Sequence, residues 1–281
     1  MSRGPSRPGD TQHAVSGRVA PSGWAAPAWW VVFNRELIWQ WIGGRALLLS
    51  LAFSLLLSVL AYLVATNTDL NYLEQRESVN LTLQVAIAIG ALLALLVGAD
   101  TISGERERGT LETLLLTPAA RTSITTGKLL GALSLWIAAF AIAVPYVWFL
   151  GRGIGIVGVA LAVGLLVGTL LAVFLASLGV LVSALAASNR VSLSVSLFLL
   201  LALYAPTQFP TRAQQGWAGE LLLRINPIAA GEHYVGKLVI DAHSWSRDAS
   251  WLVSPVVAAA AFAVAAVVAA RWVRLRGAAS G

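Results

Sequence analysis

Residues able to do chemistry are concentrated in one place. From 100 to 128 the sequence reads DTISGERERGTLETLLLTPAARTSITTGK, the only dense cluster of charge between long apolar stretches. Asp100, Glu105, Glu107 and Glu112 alternate with Arg106, Arg108, Arg121 and Lys128. Carboxylates and guanidiniums interleaved in this way make ion pairs. Glu105 and Arg108 are three positions apart, and Arg108 and Glu112 four apart, so both pairs can support a single helix. Leu111, Leu114 and Leu115 then form a short apolar face, and Pro118 stops the helix. Two readings stay open on the residues alone: a solvated loop, or a short amphipathic helix whose apolar face docks on a partner.

Other reactive patterns fail on context. Gly153, Gly155 and Gly158 match G-x-G-x-x-G, but a dinucleotide site needs that pattern between a strand and a helix, with an acid about 20 residues on. Here it lies between two apolar stretches, and position 178 is Leu. A flexible turn accounts for it better. Gly127-Lys128 looks like the end of a phosphate loop, yet Leu129 follows and no Gly stands five positions before Gly127. This leaves no ATP site of that type and no reason to expect catalysis by this chain. Cysteine is absent, and His13, His233 and His243 are scattered, so neither a thiolate site nor a histidine metal cluster is expected. Asn80-Leu81-Thr82 matches a glycosylation acceptor but abuts an apolar stretch.

The elements that carry the cluster follow from the apolar pattern. Of 281 residues, 58% are hydrophobic and 11% charged, and the mean hydropathy is +0.77. An average soluble domain carries about 25% charge, so neither a soluble globule nor a disordered chain fits. A helix crossing a bilayer needs about 20 apolar residues. Stretches free of Asp, Glu, Lys and Arg run 46–68, 78–99, 129–151, 153–189, 191–211 and 249–270. They predict an all-α polytopic membrane protein with spans at about 46–65, 81–99, 129–150, 157–187, 192–205 and 252–272. The fourth stretch holds 37 residues, too long for one crossing, and its glycines place the excess at its start. The fifth has a short apolar core, serines at 192, 194 and 196, and prolines at 206 and 210. It is a short span or a re-entrant segment, and an even count favours the span.

Thirteen of the nineteen basic residues fall inside if both termini are cytoplasmic, the orientation the positive-inside rule selects. Residues 1–27 are Gly-, Pro-, Ser- and Arg-rich and read as a disordered cytoplasmic tail, with no signal peptide. Residues 276–281 form a second cytoplasmic tail, leaving 28–275 as a single membrane domain. Residues 28–42 carry four of the eleven tryptophans. Trp30, Phe33, Leu37 and Trp41 share a helical stripe, with Arg35 and Glu36 between them, which suits a helix lying in the interface or the first turn of the first span. Residues 206–251 are external. They read as two short helices, Trp217 to Ile225 and Ala230 to Ile240, parted by Asn226-Pro227 and anchored by Trp217, Tyr234 and Trp245. Either this pair dips into the outer leaflet, or the segment is a loose loop.

No span core carries a charged residue. Intramembrane charges mark ion paths and proton relays, so a proton-coupled pump or an intramembrane hydrolase is not expected. Gln84, Thr169, Ser177, Ser183 and Ser254 suit helix-to-helix hydrogen bonds, and Gly164 and Gly168 suit close helix approach. If the chain moves something, the energy enters from elsewhere.

The run Asp100 to Glu112, with Gly109-Thr110-Leu111-Glu112, then Leu114-Leu115, Pro118 and Gly127-Lys128-Leu129-Leu130, resembles the permease subunits of ABC-2 type transporters. The six-span plan, Arg35-Glu36-Leu37 before the first span and the external pair before the sixth resemble them as well, over roughly residues 28–275. The resemblance implies a coupling helix around Glu105–Leu116 that enters a groove of a separate ABC ATP-binding subunit. Leu111, Leu114 and Leu115 would be buried there, while Glu105, Arg106, Glu107, Arg108 and Glu112 pair with the rim. It also implies that ATP and magnesium sit on that subunit and that this chain holds no cofactor. The partners would be a second permease copy or a similar chain, and no nucleic acid. The expected role is that of an exporter in the plasma (inner) membrane. Rival readings are an assembly or maturation component docking an extracytoplasmic partner at 206–251, and a secondary carrier. The lightly hydroxylated apolar spans select no substrate.

Overall fold

The computed structural model describes residues 27–66, 72–110, 120–208 and 216–269. Among these the chain is helical, without strands. The elements are α1 (Ala28–Ile42), α2 (Arg45–Ala65), α3 (Tyr72–Asp100), α4 (Ser103–Glu107), α5 (Arg121–Gly151), α6 (Val157–Leu185), α7 (Asn189–Tyr204), α8 (Trp217–Ile225), α9 (Pro227–Val239) and α10 (Val253–Ala269). Six helices are long and apolar enough to cross a membrane: Ala46–Ala65, Leu73–Glu107, Arg121–Gly151, Val157–Leu185, Asn189–Gln208 and Ala249–Ala269. The expected tails at 1–26 and 270–281 lie outside the described residues.

Charge-free stretches locate the spans but not their ends. Helix α3 starts at Tyr72 and α5 at Arg121, each about two turns before the apolar run, because a helix needs only its middle in hydrocarbon. The long fourth stretch resolves as anticipated at its start: a turn over 152–155, with Gly155 at φ +69°, precedes α6.

The core is built on α6, whose inward residues, including Val163, Val167, Leu171 and Leu175, are buried. Gly164 and Gly168 are where neighbours press in. A Cβ on Gly164 would collide with Leu83 of α3, and one on Gly168 with the ring of Trp136 of α5. Trp136 is fully buried and donates its indole N–H to Thr169 Oγ1 at 3.1 Å. On its other side, a Cβ on Gly90 would lie 2.6 Å from Trp136 Cε3. Small residues thus admit the one large ring that joins α3, α5 and α6, the packing logic of helices in lipid. In α7, Ser192 and Ser196 are buried, and Ser192 Oγ donates to Ala99 O at 2.7 Å.

Helix α1 is a helix of its own and not a first turn of the span. The chain breaks at Gly43-Gly44, and Gly44 takes φ +80°, a conformation glycine adopts without a Cβ penalty. The stripe expected at the interface runs from exposed Trp30 through half-buried Phe33, Leu37 and Trp41, and a second face packs into the protein. Trp30 is 46% exposed, whereas Val32 and Gln40 are buried, with Glu36 half-buried between them. Polar Glu36 turns inward because it meets a polar partner on α5, described below.

Residues 216–252 are not a loose loop. Asn226 caps α9, its Oδ1 accepting from the N–H groups of Ile228 at 2.9 Å and Ala229 at 3.2 Å, with Pro227 at the first helical position. This moves the start of the second helix from the expected Ala230 to Pro227. Asn226 Nδ2 also donates to Leu203 O at 2.6 Å, tying α9 to the end of α7. Tyr234 is core rather than anchor, 1% exposed, with its hydroxyl donating to Trp245 O at 2.9 Å.

Candidate functional site

The charged run after α3 folds into a junction rather than an exposed strip. Asp100 ends α3, two residues turn the chain, and α4 follows. Helix α4 stops in a Schellman motif: Thr110 N donates to Glu105 O at 3.1 Å, Gly109 N donates to Arg106 O at 3.3 Å, and Gly109 takes φ +70°. The helix that carries Glu105 therefore ends before Leu111. A helix running unbroken onward from Glu105 is thus interrupted at Gly109, and Arg108 pairs with Asp100, not with Glu105. Leu111, Glu112, Leu114, Leu115 and Pro118 lie outside the described residues.

Four consecutive charged side chains then reach four different places. Glu105 is 6% exposed, and its Oε1 accepts from Lys128 Nζ of α5 at 2.9 Å. The same ammonium donates to Glu36 Oε1 of α1 at 2.8 Å. Arg106 Nη1 donates to Ala186 O, where α6 ends, and a cation suits the exposed carbonyls there. Glu107 Oε1 accepts from Asn189 N at 2.8 Å, placing an anion at the first turn of α7. Arg108 pairs with Asp100 of α3 at 2.7 Å and lies over the Trp39 ring of α1, 5.0 Å from its centroid.

Serine and asparagine side chains complete the fit. Ser183 Oγ of α6 accepts from the N–H groups of Ile102 at 3.0 Å and Ser103 at 2.9 Å, two of the orphan donors that open α4. Asn189 donates through Nδ2 to Asp100 Oδ1 at 2.7 Å and accepts at Oδ1 from Ser103 Oγ at 3.0 Å. One short helix is thus bonded to α3, α5, α6 and α7, and through Lys128 to α1.

Lys128 reaches Glu36 because α1 and α5 approach closely. A Cβ on Gly127 would lie 2.8 Å from Val32 Cβ, and one on Gly131 would lie 2.9 Å from Glu36 Cβ. The pair brackets Lys128 as G-x-x-x-G, so the two glycines make the contact and the lysine between them fills it with charge. Gly127-Lys128 had failed as a phosphate loop. The readable signal was a lone lysine, flanked by glycines four apart, at the edge of an apolar span. Asn189 gave no signal, since its partners are remote in sequence.

Of the other expected site residues, Thr110, Arg35 and Trp30 are exposed, and Phe33, Leu37 and Trp41 are half-buried. Trp41 donates its indole N–H to Ser134 Oγ at 3.4 Å. Beside the junction lies a cavity of about 540 Å³, lined by Glu36, Asp100, Glu105, Arg108 and Lys128 and by leucines of α3 and α7. Among the described residues no group of His, Asp or Glu is placed to hold a metal ion. The arrangement fixes the relative positions of five helices at one end of the bundle.

No curated protein matches the chain. The family model described as ABC-2 family transporter protein matches residues 30–270. With the six helices and the junction after α3 in place, that match makes the chain a member of the ABC-2 transporter family.

Proposed function

We propose that this chain is the membrane permease subunit of an ATP-driven exporter, powered by a separate ATP-binding subunit that engages the segment from Glu105 to Pro118. The observation that carries the reading is the set of contacts made by Glu105, Arg106, Glu107 and Arg108, each tied to a different helix. A displacement applied at the segment beyond Gly109 is delivered to α4. Through α4 it reaches α1 and α5 by Lys128, α6 by Arg106, α7 by Glu107 and α3 by Arg108. A two-state change of this kind needs a ligand that favours one state, and nucleotide on the partner subunit supplies it. Leu111, Leu114 and Leu115 provide apolar contact to the partner, and Glu112 a rim charge.

The basic bias of this end supports placing the junction in the cytoplasm of a plasma (inner) membrane protein. Six helices per chain enclose no wide path, so two copies, or this chain and a similar one, form the working unit. The test is Leu115→Asp, assayed by co-purification with a co-expressed ATP-binding subunit and by ATP-driven transport in vesicles. Loss of the complex and of transport, with the permease still folded, is the expected result. A normal complex with normal transport overturns the reading, as does labelling of residues 105–116 from outside the cell.

A further inference from the structure

The cavity beside the junction is open on one side. Helices α2 and α7 each pack on α3 but have no packed interface with each other, so α3 forms the back of a slot between them. Leu49 of α2, Leu96 and Val97 of α3, and Leu193 and Leu197 of α7 line it. All three helices belong to candidate spans, so the open side faces lipid. At the junction end the lining turns polar. Arg35, Arg108 and Lys128 stand against Glu36, Asp100 and Glu105, and the charges balance. Trp39, 52% exposed, sits among them with the Arg108 guanidinium over its ring. An exposed tryptophan at the end of a span suits the headgroup level of a bilayer.

Most of these charges satisfy one another. Arg108 pairs with Asp100, and Lys128 with Glu105 and Glu36. Two groups are left over, on consecutive residues of α1. Arg35 is exposed, and no described residue pairs with it. Glu36 gives Oε1 to Lys128, and no described residue donates to its Oε2. Unlike Glu105 Oε2, this oxygen is not sealed from solvent, and the side chain keeps 14% exposure. One spare cation beside one spare carboxylate oxygen matches a head that carries both signs. We infer that the slot holds one phospholipid of the junction-side leaflet with a phosphoethanolamine head, its phosphate on Arg35, its ammonium donating to Glu36 Oε2, and an acyl chain against the leucines of α3 and α7. A volume of about 540 Å³ falls within the usual range of small-ligand sites, roughly 300–1,000 Å³. It takes the head and the start of one chain, and the rest stays in the bilayer. A primary ammonium brings one positive charge and three N–H donors. A choline head keeps both charges but has no N–H to donate, and a glycerol head brings no cation to Glu36. The inference rests on the helices spanning a bilayer and not on the ATP-driven reading.

The experiment uses the full chain in phosphatidylcholine nanodiscs doped with phosphatidylethanolamine that bears a diazirine on one acyl chain, and mass spectrometry maps the labelled residues. Labelling is expected to concentrate on Leu49, Leu96, Leu193 and Leu197. Unlabelled phosphatidylethanolamine competes, and phosphatidylglycerol at the same fraction competes several-fold more weakly. Arg35→Gln removes the phosphate partner without touching the Lys128 pairs, and cuts slot labelling several-fold, the scale of one partly exposed ion pair. Leu96→Trp fills the slot from its back and cuts labelling at least as far. The melting temperature reports that each variant is folded. Leu197→Cys, in a chain with no other cysteine, tests whether a second copy covers the slot instead; with lipid there, mild oxidation is expected to leave the chains unlinked. Labelling spread evenly over the outward faces of α2 and α10, equal competition by phosphatidylglycerol, unchanged labelling in Arg35→Gln or in Leu96→Trp, or a high yield of disulfide-linked dimer overturns the inference. ATP-binding-subunit capture, measured on the same samples and sensitive to Leu115→Asp, stands or falls separately.

Discussion

Lys128 and Glu105 are 23 positions apart in sequence and 2.9 Å apart in space, and Glu36 binds the same ammonium from the other side at 2.8 Å. A buried cation between two carboxylates is a poor source of net stability but a strong constraint, because removing one partner strands the others. Lys128→Met leaves two buried carboxylates facing each other without a cation. The expected loss is about 3–5 kcal/mol, read as a lowered melting temperature of the purified protein. Adding Glu36→Gln and Glu105→Gln to the same variant restores most of the loss. If Lys128→Met melts like the parent, the trio is not a constraint in the folded protein.

The spans were legible because lipid excludes charge, so gaps between charged residues report helices directly. The junction was not. Glu105, Arg106, Glu107 and Arg108 read as a loop or a short docking helix, with partners sought three or four positions away or on another subunit. Two of the actual partners, Ala186 and Asn189, lie 80 and 82 positions away. Spacing rules describe neighbours on one helix, and Gly109 ends that helix before the rules apply. On α1 the aromatic residues drew the eye, but tryptophan tolerates an exposed interface while Glu36 and Gln40 do not tolerate burial without a reason. Lys128 is that reason for Glu36.

The approach of α1 to α5 is directly measurable because the chain has no native cysteine. With Gly127 and Val32 replaced by cysteine, the two side chains start from positions closer than the roughly 3.5–4.5 Å between Cβ atoms in a disulfide. Mild oxidation is expected to join them in most molecules, as seen by mass spectrometry of the digested protein. Gly131→Val pushes α1 outward against Glu36, whose Cβ is 2.9 Å from the added Cβ, and cuts the yield several-fold. Unchanged yield in that background contradicts the close packing.

Trp136 supplies a second steric test, in the centre of the bundle. Gly168→Val drives a branched side chain into a ring that is fully buried and bonded to Thr169. Overpacking of this kind costs about 1–3 kcal/mol. Adding Trp136→Leu makes room and is expected to return part of the loss, so the two changes are non-additive in melting temperature. Strict additivity would mean the ring does not sit against Gly168.

The last prediction concerns pH and helix α9, between the fifth and sixth candidate spans. Burial raises the Glu232 carboxyl from its ordinary 4.5 to about 7. Glu232 lies in the segment between the fifth and sixth candidate spans, outside both. The sign follows from proton counting. Between about 4.5 and about 7 the folded chain holds the proton more tightly than the unfolded chain does. Stability therefore falls as pH rises through that window, and the penalty is fully present above it. Glu232→Gln removes the titration. It is expected to raise the melting temperature at pH 8, to leave it nearly unchanged at pH 4.5, and to flatten the slope between. A parent chain whose melting temperature does not fall between pH 5 and pH 7 relative to Glu232→Gln contradicts the assignment.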